Sequence, residues 1–399
     1  MDTKKTLRVG ICGCGGRGTG LGQILSRRND AQIAAVCDTN PVRMRENIKL
    51  FKGDLALYPS LEAMLNVAKL DAVIITVPDY LHEETAVTAL KTGVNTFIDK
   101  PLATTAKGCK RIIDASKKHR KVAMVGFNLR HLAVIRRLKE IVDEGTLGNL
   151  FLIENREFYS GGRTYMARWN RNSRFSGGLW IHKGSHDFDI FNWMLGFPKP
   201  VKVTAFAGVN VLRPDHLPFK PKKGIPVGPN CSKCAYQAVC PDKWLWNDAA
   251  YGDEAIAVDG YVRDTCIFLS DKDTHDNGIA MVEYENGARA SHLECFVTSQ
   301  TDRLYTLVGD RGQAEVSLEK RTILVRPRWN GELVQYTVAE ETGGHGGADP
   351  NLMDTFLAAV RGRASVGSTL EHGLWSTAIG QAAELSRRES RVVQIAELL

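Results

Sequence analysis

Residues Leu7 to Gly18 read LRVGICGCGGRG, an apolar run that leads into Gly13, Gly15 and Gly18 at the spacing G-x-G-x-x-G and then into a helix-like stretch. Few folds use such a segment. Glycines at these intervals let the backbone turn tightly and let a pyrophosphate approach a helix N-terminus, where unpaired N–H groups and the helix dipole favour an anion. Asp38 follows Gly18 by twenty positions, at the C-terminal edge of a second apolar run, Ile33 to Cys37. A carboxylate there can accept both hydroxyls of a ribose and would repel a 2′-phosphate, which points to NAD rather than NADP. Gly13, Gly15, Gly16, Arg17, Gly18 and Asp38 are therefore the expected cofactor contacts.

Strand-like and helix-like runs alternate through the first third of the chain. After a helix at Leu21–Arg28 come a strand at Asp71–Val77, a helix at Glu83–Thr92, a strand at Val94–Asp99, a helix at Ala106–His119 and a strand at Val122–Phe127. This is the pattern of an α/β Rossmann domain, a parallel sheet with helices on both faces, over residues 1–127. Ligands of such sheets sit beyond the carboxyl ends of the strands, so Pro78, His82, Asp99, Lys100, Pro101 and Asn128 lie at the expected mouth.

From a helix at Leu132–Glu144 onward, period-two alternation takes over, at Phe151–Tyr159, Val201–Val211, Ile279–Phe296, Arg303–Leu318 and Thr322–Pro327, with Glu285-Asn286-Gly287 as a hairpin turn. Residues 128–399 are expected to form an α+β substrate-binding and oligomerisation domain. It has an open mixed, largely antiparallel sheet and a cysteine-rich insert at about 212–268. Helices at Asn351–Arg361 and Leu370–Glu389 and a short strand at Val392–Ala396 close the chain.

Composition narrows the class. Apolar and charged fractions of 43% and 24% over 399 residues are those of a globular enzyme of two domains. No apolar run reaches the roughly 18 residues of a membrane span, and the N-terminus has no signal-peptide core, so neither a membrane partner nor export is expected. The net charge of +7 is spread without a basic block, which argues against nucleic acid. Nine cysteines, an odd number, suit the reducing cytoplasm better than a disulfide framework.

The fingerprint, the Asp99-Lys100-Pro101 step, the Val125-Gly126-Phe127-Asn128 strand end and the stretch Gly177-Gly178-x-x-x-His182-Lys183-x-x-His186 together resemble the Gfo/Idh/MocA oxidoreductases over essentially the whole chain. The resemblance implies a Rossmann domain followed by an open mixed sheet, with the active site between them. The family's step is usually Glu-Lys-Pro, and Asp99 departs from it.

Lys100 is the first catalytic candidate. Hydride loss from an alcohol requires removal of the hydroxyl proton, and a cation near the oxygen stabilises the developing charge. His182, Lys183 and His186 could share one face of a helix that begins after the glycines. His186 aligns with the family's catalytic histidine and is a plausible general base, with Lys183 as an added cation. Many relatives carry aspartate at the position of His182, which leaves it as a substrate contact or a core histidine. The His-x-x-x-His pair also suits a metal, but a third ligand is missing. Tyr165, Arg168 and Trp169 precede this stretch; guanidinium forks and an indole face suit a sugar, although a solvated helix face or an oligomer contact fits the spacing equally well.

Cys231, Cys234, Cys240 and Cys266 have the number and type for a closed structural zinc site, with an iron–sulfur cluster or free thiols as alternatives. Trp244 and Trp246 follow this cluster. The stretch Gly343-Gly344-His345-Gly346-Gly347-Ala348-Asp349 resembles one in relatives acting on glycosides, including NAD-dependent glycoside hydrolases, which makes His345 a substrate-site candidate and Asp349 an expected N-cap.

The leading functional expectation is an NAD-dependent oxidation of a CH–OH group in a sugar, glycoside, polyol or related carbohydrate by a homo-oligomer (dimer or tetramer). Two alternatives are a redox-neutral glycoside hydrolase, which oxidises transiently and then eliminates, and a non-catalytic NAD-binding sensor.

Overall fold

The computed structural model describes residues 6–246 and 248–399. The first part of the chain builds β1 (Leu7–Cys12), α1 (Gly16–Leu25), β2 (Ala31–Cys37), α2 (Pro41–Ile48), β3 (Ala56–Tyr58) and α3 (Leu61–Val67). It continues with β4 (Ala72–Ile75), α4 (His82–Lys91), β5 (Asn95–Asp99), α5 (Ala106–Ser116) and β6 (Ala123–Gly126). The six strands lie in the order β3-β2-β1-β4-β5-β6, and every pairing is parallel. β4 is buried along its whole length, because helices cover both faces of the sheet. Strand order reverses between β1 and β4, and this switch point opens the crevice in which the glycine turn sits.

Helix α1 starts at Gly16, inside the fingerprint, and not at Leu21. Its glycines have low helix propensity and hid it from a periodicity reading. Gly22 is needed for packing, since a Cβ there would lie 2.4 Å from the Phe51 ring. Helix α2 has no counterpart in the sequence reading; it is secured by Asn40, whose side chain accepts from the Val42 and Arg43 amides, with Pro41 at its first position.

The rest of the chain adds α6 (Ala133–Asp143), β7 (Leu150–Phe158), α7 (Ser173–Ser176), α8 (Leu179–His182), α9 (Ser185–Met194), β8 (Pro200–Gly208) and α10 (Asp253–Asp259). Then come β9 (Asn277–Tyr284), β10 (Arg289–Cys295), β11 (Asp302–Gly309), β12 (Gly312–Ser317), β13 (Thr322–Pro327) and β14 (Val334–Thr337). Helices α11 (Ala348–Val360) and α12 (Leu370–Glu389) and strand β15 (Val393–Gln394) follow. The second sheet runs β14-β13-β12-β11-β7-β10-β9-β8-β15. β7 and β10 are parallel and the other pairings antiparallel, with Gly287 at a positive φ in the expected hairpin between β9 and β10.

One face of this sheet packs on α9 and α12. The other carries exposed Phe206, Ile279 and Met281, with Phe206 and Ile279 directly opposite in register. Two long-range packings join the halves. Helix α12 lies so close to its neighbours that a Cβ on Gly373 would meet Leu102 at 2.7 Å and one on Gly380 would meet the Trp180 carbonyl at 2.9 Å. Helix α11 completes the core of the first sheet, where Phe356 meets Phe97 edge-on with ring centres 5.5 Å apart.

Candidate active site

The glycine turn is built so that other residues do not fit. Gly13 has φ +95, and a side chain there would lie 2.9 Å from the Thr76 and Val77 backbone; a Cβ on Gly18 would lie 2.0 Å from the Gly13 carbonyl oxygen. The Thr76 hydroxyl donates to that same carbonyl at 2.9 Å, which ties β4 to the turn. A side chain on Gly16, at the head of α1, would meet nothing within 4 Å. This glycine-built helix N-terminus, approached by the Tyr251 hydroxyl 3.6 Å from where a Cβ on Gly15 would stand, fits a pyrophosphate.

Asp38 closes the end of β2. Its Oδ2 accepts the Cys14 amide at 2.7 Å and its Oδ1 the Asn40 amide at 2.8 Å, and the remaining lone pairs are those a ribose would use. Arg17 points back toward the sheet mouth, with Nε 3.1 Å from Asp99 and Nη1 2.8 Å from Asp349. Asn128 donates to Asp349 at 3.1 Å, so α1, the ends of β5 and β6, and α11 are tied together at one point. Burial pushes the Asp349 carboxyl up, but His345 and Arg17 outweigh it and hold the group well below the usual range. Asp349 is not the N-cap of α11: Gly347 occupies that position at φ +84, and Asp349 turns its side chain to Arg17 and His345. His82 is buried behind Pro78, its ring nitrogens 2.6 Å from the Pro101 carbonyl and 2.9 Å from that of Val77, so it braces the strand ends.

Lys100 emerges just past β5 and lies beneath the histidine segment, its ammonium donating to the His182 carbonyl at 2.5 Å. Burial brings its pKa down to about 8, with Asp79 and Asp99 opposing the shift. The stretch from Leu179 to Met194 is not one helix. It breaks at Lys183 and Gly184, where a Cβ on Gly184 would lie 2.8 Å from the Trp180 carbonyl, so His182 ends α8 and His186 begins a new axis in α9. His182 is held between Asp79, 2.7 Å from Nδ1, and Asn170, 2.9 Å from Nε2. Tyr165 and Trp169 meet its ring edge-on at 5.2 Å and 5.4 Å. Burial, then the charges of Lys100, Arg168 and Lys183, keep it well below its usual pKa. His186 is held down by burial, then by Lys100 and Lys183, and its Nδ1 has no hydrogen-bond partner. Both imidazoles are therefore neutral near pH 7 and able to accept a proton.

Lys183 lies over the Tyr159 ring at 4.2 Å and pairs with buried Glu157 at 3.0 Å. Asp79, Asn170, Glu157 and Tyr159 belong to this constellation and were absent from the sequence reading. The Pro78-Asp79 step after a strand was the one available signal. Of Arg168, Arg171 and Arg174, which follow one another at three-residue spacing, Arg168 stacks over Tyr165 at 5.1 Å toward the histidines, whereas Arg171 pairs with Asp271 and Arg174 lies over Phe175. His345 is the exposed member of the set, held at φ +50 with Nδ1 2.7 Å from Asp349.

Cys231, Cys234, Cys240 and Cys266 line one cavity of about 20 Å³ with Leu217, Phe219, Val227 and Phe268. Their expected zinc is not supported. Among the described residues no group of three or more His, Cys, Asp or Glu side chains is arranged to hold a metal ion, at the cysteines or at the His182–His186 pair. Burial raises the Cys231 and Cys240 thiols. Trp244 and Trp246 pack against each other beside this cluster, and Arg263 lies 4.0 Å above the Trp246 ring.

Residues 7–127 match the NAD-binding Rossmann fold of an oxidoreductase family, and residues 139–395 match that family's C-terminal alpha/beta domain. The Bacillus subtilis (strain 168) protein YteT, which carries the name of an oxidoreductase, is 28% identical over 92% of both chains. An inositol 2-dehydrogenase of Burkholderia ambifaria (strain MC40-6) is 29% identical over 48% of this chain and 55% of its own, so the match spans about half of that relative. Among solved structures, levoglucosan dehydrogenase in complex with NADH and levoglucosan has the same fold, with a TM-score of 0.76 at 16% identity over 98% of this chain and 100% of that one. The WlbA dehydrogenase of Bordetella pertussis, in complex with NADH and UDP-GlcNAcA, gives 0.71 at 19% identity over 99% of each.

Proposed function

The chain belongs to the Gfo/Idh/MocA oxidoreductase family, and on that premise we propose that it oxidises a CH–OH group of a sugar, polyol, glycoside or related carbohydrate, with NAD as the hydride acceptor. The observation that carries the reading is the convergence of Lys100, His182 and His186, with two neutral imidazoles and one lysine of lowered pKa, beside the cradle built by Gly13, Gly15 and Gly18. Relatives named for inositol and levoglucosan support a polyhydroxylated substrate.

A bound nicotinamide supplies the acceptor for the hydride leaving the carbinol carbon. Asp38 receives the ribose hydroxyls and disfavours a 2′-phosphate, and the head of α1 receives the pyrophosphate. The substrate hydroxyl proton passes to His186, whose unpartnered Nδ1 marks it as the acceptor, or to Lys100 once that amine is neutral. Lys183 and Arg168 bring positive charge to the oxygen as it becomes a carbonyl. Tyr165, Trp169 and His182 form the wall against which the ring rests, and exposed His345, held by Asp349, is a further substrate contact.

The exposed apolar face of β8 and β9 supports a homo-oligomer joined through the second sheet. Nine free cysteines support a reducing, cytoplasmic setting. No helix among the described residues is long and apolar enough to cross a membrane.

The test is incubation with NAD and a panel of free sugars, polyols and aryl glycosides, recording both reduced-nicotinamide absorbance and released aglycone. Reduced cofactor in step with oxidised carbohydrate is expected. Aglycone release without net reduction would replace this reading with the redox-neutral hydrolase, and inertness toward the whole panel would remove the carbohydrate assignment.

A further inference from the structure

A segment of the cysteine-rich insert folds back onto the cofactor edge of the first sheet. The Asn40 side chain caps α2 with its oxygen while its amide donates to the Ala255 carbonyl at 2.9 Å and to Asp259 at 2.8 Å. Arg43 pairs with Asp259 at 3.0 Å, and Arg45 with Glu254 at 3.0 Å. Helix α10 is thereby fastened across the start of α2, immediately after Asp38.

What this places over the cradle is chemically specific. Tyr251, in the turn before α10, has its hydroxyl 3.6 Å from where a Cβ on Gly15 would stand, at the glycine whose backbone a pyrophosphate approaches. Two guanidinium groups share its ring, Arg43 at 4.8 Å and Arg263 at 4.2 Å from the centroid. Arg43 Nε and Nη2 and Arg263 Nε are buried with no hydrogen-bond partner. Asp259 meets Arg43 through Nη1 alone, so these three buried N–H groups stay costly until a further acceptor, such as a phosphate oxygen, completes them.

We propose that residues 248–263 form a clamp over the adenosine-diphosphate half of the dinucleotide, with Tyr251, Arg43 and Arg263 engaging its phosphates, so that the cofactor is released slowly between turnovers. The clamp rests on the NAD-binding assignment but adds contacts from outside the Rossmann fold. Charge-assisted hydrogen bonds from guanidinium to phosphate are the strong kind, and they act on the rate of release.

The experiment measures binding of NAD, ADP-ribose and nicotinamide mononucleotide, and the NAD dissociation rate, for wild type and for Tyr251→Phe with Arg263→Gln. ADP-ribose affinity is expected to fall, and NAD release to quicken, about tenfold or more, while nicotinamide mononucleotide binding is unchanged. In the wild type, amide hydrogen exchange across residues 249–259 is expected to slow on adding ADP-ribose, a readout that does not depend on the variants folding. Equal ADP-ribose binding and NAD release in a folded variant, or exchange indifferent to ADP-ribose, overturns the clamp. A wild type that binds neither NAD nor ADP-ribose overturns the NAD assignment itself.

Discussion

His182 and Asp79 meet across the mouth of the first sheet, Nδ1 to Oδ2 at 2.7 Å, although 103 positions separate them in the chain. Burial pushes the Asp79 carboxyl up to about 7, against the pull of His82 and Lys100, so Asp79 and Lys100 lose protons as linked groups near neutral pH and above. In wild type, kcat/KM is expected to show an inflection near pH 7, and in Asp79→Asn that inflection should be gone with the fold retained. A variant profile that superimposes on wild type would separate Asp79 from the chemistry.

Lys100 offers a second titration. Because burial lowers its pKa to about 8, alcohol oxidation should quicken as pH rises through that value and the amine becomes able to take a proton. Lys100→Arg keeps a cation but cannot lose its proton, so the upper limb should vanish and kcat/KM should fall by roughly 10²–10⁴-fold. Steady-state rates between pH 6 and 10 would check this, and a limb near 8 surviving in the variant would assign it elsewhere.

Gly18→Ala tests the cradle directly. The new methyl would lie 2.0 Å from the Gly13 carbonyl oxygen and 2.6 Å from the Thr76 hydroxyl, so the turn must open. Denaturant unfolding should show a loss of about 1–3 kcal/mol, accompanied by much weaker NAD binding in a titration. Unchanged binding would mean that the turn can relax without cost.

Acid should weaken the fold through histidines that have no part in the reaction. Burial, then Arg130 and Arg136, bring His131 down to about 4, and burial with Arg130 brings His372 to about 3. An unfolded chain titrates such groups near about 6.5, so below that pH it binds more protons than the native state and stability falls, until the folded pKa values are reached. Melting temperature is expected to drop from pH 6.5 to 4, and less steeply in His131→Gln. Parallel curves for wild type and variant would place the acid sensitivity in other groups.

The α/β character of the first third was legible because β4 is buried on both faces and reads as an unbroken apolar run, and β1 and β2 are nearly so, each interrupted by one polar residue, Arg8 and Gln32. Alternation in β9 and β10 was legible for the complementary reason, one face being exposed. Helix α1 was read late because its glycines serve close packing at the expense of helix propensity. Spacing along the chain placed Lys100 at the mouth, but it could not show that the helix between the two histidines breaks at Lys183 and Gly184, where Gly184 packs too close to the Trp180 carbonyl for a side chain. Asp79 and Asn170 escaped notice since each acts through His182, a contact made only in three dimensions. The four cysteines do line one cavity, yet no group of three or more ligands among the described residues is arranged to hold a metal ion, an arrangement that spacing alone could not show.

The meeting of Phe356 with Phe97 fixes an order of events during synthesis. Domains emerging from a ribosome usually fold as units, the N-terminal one first. Here the wall that seals one side of the first sheet is α11, which follows every strand of the second sheet but β15, so residues 1–127 leave the ribosome with an open flank. A nascent nucleotide-binding sheet is kept waiting until almost every later residue has been made, and a messenger truncated before α11 encodes a protein that has its cofactor motif but lacks the helix that closes the sheet behind it.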